Sequence, residues 1–152
     1  MGYYFRGIIT SIDIIDSFKN SYSNLVIIHL YNGLVTIPLT DELYDEINMN
    51  QGKTINKYEY LTDQIGLFCS KNSNLSKTAY VEAEYFGGVG SQNGIVWDSG
   101  KVVFEETMSK DAINKALKIL GIITIDYKDE FDTVQLGRHR FVDRWVDEEA
   151  HL

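Results

Sequence analysis

A chain of 152 residues is long enough for one hydrophobic core, and 44% hydrophobic against 24% charged residues excludes a wholly disordered polymer. A formal net charge of -8 repels phosphate backbones and anionic lipids, which argues against nucleic-acid or membrane binding and favours a basic partner, although acidity also serves plain solubility. No apolar stretch approaches the ~20 residues of a membrane span, the N-terminus lacks a signal-peptide pattern, and the lone Cys69 excludes an internal disulfide, so a cytoplasmic setting is expected.

In chain order, Arg6 to Ile15 reads as a strand with Ile8, Thr10, Ile12 and Ile14 on one face. Leu25 to Tyr31 and Leu34 to Leu39 flank Asn32-Gly33, a strong hairpin signal. A two-residue turn there would pair Leu30 with Val35, Ile28 with Ile37, and Val26 with Leu39, gathering six apolar residues on one face. Pro38 cannot donate to a ladder, so its strand is expected at an edge, or Pro38 at the strand's frayed end. Thr40 is a candidate cap for a helix through about Asn48. Thr62 is another, with Leu61, Ile65 and Phe68 recurring near helical spacing.

Thr78 to Phe86 alternates as a strand, with Ala79, Val81, Ala83 and Tyr85 on one face and Tyr80, Glu82, Glu84 and Phe86 on the other. Asn93 to Trp97 and Lys101 to Phe104 form a second hairpin pattern around Asp98-Ser99-Gly100. Ser109 precedes a helical stripe of Ile113, Ala116, Leu117 and Leu120 over Lys110 to Leu120, with Gly121 at its end. Ile122 to Ile125 reads as a last short strand, followed by an irregular tail. The order implies a single α+β domain: an antiparallel or mixed β-sheet covered by about three helices.

Gly87-Gly88-Val89-Gly90 follows a strand, as a phosphate loop would, but it is followed by another strand pattern and lacks a Gly-Lys-Ser/Thr ending. A bulge or positive-φ turn between paired strands fits better. Glu82 and Glu84 share one side of their strand and invite three readings: an acid/base pair, a metal site, or partners for arginine. Three of the four arginines, Arg138, Arg140 and Arg144, lie close together in the tail. A guanidinium forks onto carboxylates, so Arg138 or Arg140 is expected to fold back onto Glu82, Glu84 or the Asp129–Asp132 cluster. Asp129, Glu130 and Asp132 lack calcium-loop spacing, and His29, His139 and His151 lack zinc-ligand spacing. No metal or other cofactor is therefore expected. Cys69 reads as a buried structural thiol.

Two longer blocks carry a resemblance. Ala79-Tyr-Val-Glu-Ala-Glu-Tyr-Phe-Gly-Gly-Val-Gly-Ser-Gln92, with Trp97 following, is one. Asp129-Glu-Phe-Asp132 continuing to Leu136-Gly-Arg-His-Arg140 is the other. Together they resemble a family of small uncharacterised bacterial proteins loosely associated with toxin–immunity systems. The resemblance implies an immunity-type inhibitor that covers a cognate basic toxin. Expected contacts are Glu82, Glu84, Asp129, Glu130 and Asp132, with Tyr80 and Phe86 as aromatic anchors. The alternative is a small-molecule-binding protein or enzyme using Gly88, Gly90, Gln92, Glu84, His139 and Arg140. Either site reading requires the paired acids and the late arginines to meet in space.

Overall fold

The computed structural model describes residues 2–125 and 127–150; His151 lies outside them. Six antiparallel strands form one sheet in the order β2-β3-β1-β4-β5-β6. They are β1 (Tyr3–Ser11), β2 (Ile28–His29), β3 (Leu34–Pro38), β4 (Thr78–Phe86), β5 (Val89–Asp98) and β6 (Lys101–Ser109). The helices are α1 (Ile15–Phe18), α2 (Asp41–Asn48), α3 (Asp63–Asn72), α4 (Ala112–Ile119), α5 (Glu130–Thr133) and α6 (Val142–Ala150). Short 3-10 turns occupy Ile12–Ile14 and Leu136–Arg138.

Both faces of the sheet are covered. The odd-numbered residues Ala79, Val81 and Ala83 of β4 pack with Phe5, Ile9 and Leu34 beneath Ile113, Ala116 and Leu117 of α4, Leu136, and Trp145 of α6. On the opposite face, Ile8, Val35, Ile37 and Tyr80 pack beneath Leu43 and Ile47 of α2 and Ile65 and Cys69 of α3. The alternation of β4 thus feeds two cores, and its long partner β1 lies beside it in register, Arg6 opposite Glu82 and Ile8 opposite Tyr80.

The caps at Thr40 and Thr62 form as expected: their hydroxyls accept from the amides of Leu43 and Ile65, each at 3.2 Å. Several expectations are displaced. The first strand ends at Ser11, whose hydroxyl accepts from Asp13 N at 3.0 Å and starts a 3-10 turn, so Ile12 and Ile14 leave the strand. The hairpin at Asn32-Gly33 pairs Ile28 with Thr36 and His29 with Val35, one residue away from the expected register. Because side chains alternate, that slip sends Ile28, Leu30 and Leu34 to the Trp145 side, and Val35 and Ile37 to the other. The residues from 122 to 125 form no strand: Ile122 is buried under α4 while Ile123 and Ile125 are exposed.

Pro38 sits at the end of β3, beyond the reach of the two-residue β2, so no strand on that side needs its missing N–H. The α4 helix begins at Ala112 rather than Lys110, because β6 runs on through Ser109. The tail is ordered into α5, a turn and α6 rather than irregular, and Tyr4 N ties it to the sheet by donating to Arg140 O at 2.7 Å.

Candidate functional site

Gly87 and Gly88 form the two-residue turn that joins β4 to β5, with φ of 61° and 81° and Phe86 opposite Val89. Such positive φ values belong to the hairpin turns that match strand twist, and glycine adopts them without steric cost. Gly90, next along β5, lies against the Glu84 carbonyl, and any Cβ there would collide with it. The glycine run is thus a hairpin device.

Glu82 faces the α2/α3 side and is buried. Its carboxylate accepts from Glu59 N (2.6 Å), Tyr60 N (3.1 Å), the Tyr80 hydroxyl (2.6 Å) and Asn93 Nδ2 (2.7 Å). A carboxylate offers about four acceptor sites, so Glu82 is saturated and holds the Lys57–Tyr60 loop onto the sheet. Burial, then the negative charge of Glu82, pushes the Tyr80 hydroxyl well above its ordinary range. Tyr80 is fully buried and cannot serve as an aromatic anchor for a partner. Glu82 is equally withdrawn, contrary to expectation.

Arg6, opposite Glu82 on β1, is buried as well and satisfied elsewhere. It donates to Leu39 O and Asp41 Oδ1, both at 2.6 Å, and to the Tyr4 hydroxyl, and its guanidinium lies 3.9 Å above the Tyr60 ring. Around this group opens a cleft of about 480 Å³, lined among others by Tyr4, Tyr60, Glu84, Ser91 and Met108. Glu84 is exposed at its rim, and Phe86 and Met108 are 80% and 79% exposed.

The late arginines go to the other side of the sheet. Arg138 forks onto Glu148, with Nε and Nη2 at 2.9 and 3.0 Å from its two oxygens, donates to His29 O at 2.6 Å, and lies 4.9 Å from the Trp145 ring. His139 Nε2 shares Glu148 Oε1 at 2.7 Å. The guanidinium fork therefore exists, but its acceptor is Glu148, not Glu82, Glu84 or the Asp129 cluster. His139 is likewise committed to a structural pair.

Asp129 caps α5 by accepting from Asp132 N at 2.8 Å, and its other oxygen accepts from Asn114 Nδ2 at 3.1 Å. Asp129, Glu130 and Asp132 are the first turn of a helix packed by α4, on the side away from Glu82 and Glu84. The acids of β4 and the late arginines are separated by the sheet and form no common centre.

A second cleft, about 390 Å³, lies on that other side between Tyr3, Tyr85, Gln92, Asn114, Phe131 and Arg140. Gln92 is largely structural: its Oε1 accepts from Ile113 N at 2.9 Å, and its Nε2 donates to Lys110 O at 3.0 Å and Tyr85 Oη at 3.2 Å. The two sequence blocks singled out above thus do converge, through Tyr85 and Gln92 from the first and Phe131 and Arg140 from the second. Among the described residues no group of three or more His, Cys, Asp or Glu is placed to hold a metal ion.

Sequence reasoning missed Glu148, ten residues beyond the arginine it binds, and the exposed Val89 and Met108. A period-two reading continued through the glycine turn places Val89 opposite Phe86, so that signal was present. The chain has the architecture of an α+β protein with helices on both faces of an antiparallel sheet. No family model matches it, and neither a curated protein nor a solved structure matches it.

Proposed function

We propose that this protein is an interaction protein, an immunity-type inhibitor that covers a basic toxin with the outer end of the β4–β5 hairpin. The observation that carries this reading is the cross-strand pair Phe86 and Val89, 80% and 79% exposed, standing beside the exposed acid Glu84 on a chain of net charge -8. Large apolar side chains left in water on a stiff hairpin are typical of the buried centre of a protein interface. Met108, also exposed on this side of the sheet, and the rim of the cleft at Tyr4 and Tyr60 extend the surface.

The acidic charge acts on encounter. A field of this sign draws a basic partner in and disfavours acidic ones, an effect that weakens as salt rises. The single centre that the sequence reading required does not form, so the proposed contact set rests on exposure instead: Glu84 and Phe86 are exposed, while Tyr80 and Glu82 are buried and Asp129, Glu130 and Asp132 lie on the far side. No helix among the described residues is long and apolar enough to cross a membrane.

The test is a complex isolated from the native host at ordinary salt, followed by titration against the captured partner's activity. A stoichiometric basic protein whose activity falls as this protein is added supports the reading, and Phe86→Ala then weakens inhibition about tenfold or more. An acidic partner, or inhibition unchanged in both Phe86→Ala and Glu84→Lys, rejects it.

A further inference from the structure

Beyond the partner surface, and on the opposite side of the sheet, one arginine is left without work. Arg6 meets Asp41 at 2.6 Å, Arg138 meets Glu148 at 2.9 Å, and Arg144 lies 3.9 Å from Asp147. Arg140 alone of the four has no carboxylate within reach among the described residues. Its backbone is pinned by the bond from Tyr4 N, yet its guanidinium makes only a 3.3 Å contact with the Gly2 carbonyl and lines the second cleft.

The other groups of that cleft define what it would hold. Lys110 contributes a second cation, exposed at the rim. The Tyr85 hydroxyl accepts from Gln92 and so keeps its own proton to donate. Asp129, the one acid lining the cleft, already has an oxygen on Asp132 N and the other on Asn114. Tyr3 and Phe131 meet edge to face at 5.5 Å and 73° and give an aromatic wall, continued by Ile113 and Ala83. Two cations and one hydrogen-bonded acid line this aromatic-walled cleft on an otherwise acidic molecule. Its volume of about 390 Å³ suits a ligand of one or two rings.

We infer that this cleft binds a small aromatic carboxylate, its anionic end forked on Arg140 and its ring against Tyr3 and Phe131. A guanidinium fork matches the two carboxylate oxygens, and Tyr85 and Lys110 supply further donors. The proposal is independent of the partner surface, which uses the other face.

The experiment is a titration of the full chain with benzoate, 4-hydroxybenzoate and indole-3-carboxylate, followed by backbone and side-chain amide NMR shifts. Saturable shifts at Gln92, Ile113, Asn114 and Phe131 are expected for at least one of them. Arg140→Ala weakens that binding about tenfold or more, while Arg140→Lys recovers part of it. Lys101→Ala, remote from the cleft, leaves it unchanged. Absence of saturable shifts for all three up to about 10 mM, or equal binding by Arg140→Ala, overturns the assignment. Inorganic phosphate binding as tightly as the carboxylates overturns the aromatic half of it.

Discussion

On the side of α4 and α6 the sheet buries a nearly pure apolar cluster centred on Trp145, Phe5 and Leu136, and its charged groups, Arg138, His139 and Glu148, stay at the margin. On the side of α2 and α3 the same strands bury Arg6 and Glu82 within the layer and satisfy them with backbone amides, a carbonyl, tyrosine hydroxyls and an asparagine. Two faces of one sheet therefore hold their helices and loops by different physics. The first depends on shape and area, the second on an apolar cluster of its own and, within it, a closed set of donors and acceptors. A buried charge is tolerated only when that set is complete, and the four donors on Glu82 complete it while fixing a loop to the sheet.

The comparison breaks most sharply at its two centres. Trp145→Ala removes the largest fully buried side chain and is expected to cost about 4 kcal/mol in urea unfolding, from lost area plus a residual cavity. Glu82→Ala is expected to cost about 3 kcal/mol, because Glu59 N, Tyr60 N, Tyr80 and Asn93 lose their acceptor together. A Glu82→Ala loss below about 1 kcal/mol would mean that the polar set is incidental.

A gentler probe sharpens the same contrast at the surface. Glu46 also accepts four bonds, from the amides and side chains of Ser23 and Asn24, and these hold its carboxyl below the usual carboxylate range. A group with a depressed folded pKa stabilises fully above its unfolded value and loses that contribution as pH falls through the folded one. Wild-type stability should therefore decline more than that of Glu46→Gln as pH drops below the ordinary carboxylate value of 4.5. Parallel acid profiles of the two proteins would show that the Ser23–Asn24 bonds have no energetic weight.

Much of the fold could be read locally. Threonine caps, glycine turns and the alternation of Thr78 to Phe86 are short-range signals: they placed the helix starts, the turns and β4, while β5 and β6 run four and five residues beyond the bounds expected around Gly100 and β2 is shorter than expected. The register of the Asn32-Gly33 hairpin could not, because both faces of β3 are buried and apolar residues at Ile28, Leu30, Val35 and Ile37 satisfy either core. Glu82 and Glu84 look equivalent in sequence. They differ because the Lys57–Tyr60 loop, more than twenty residues away, folds over one and not the other. Arg138 forks a carboxylate, but none of the acids expected for it, because the choice among acids depends on how α6 returns over the sheet.

That last point gives the most direct test of the claim that the sheet divides the acids of β4 from the late arginines. Two double-mutant cycles in urea unfolding are to be compared, Arg138→Ala with Glu148→Ala and Arg140→Ala with Glu84→Ala. The account requires a coupling of about 1 kcal/mol in the first cycle and additivity within about 0.5 kcal/mol in the second. Strong coupling between Arg140 and Glu84, or none between Arg138 and Glu148, would contradict it.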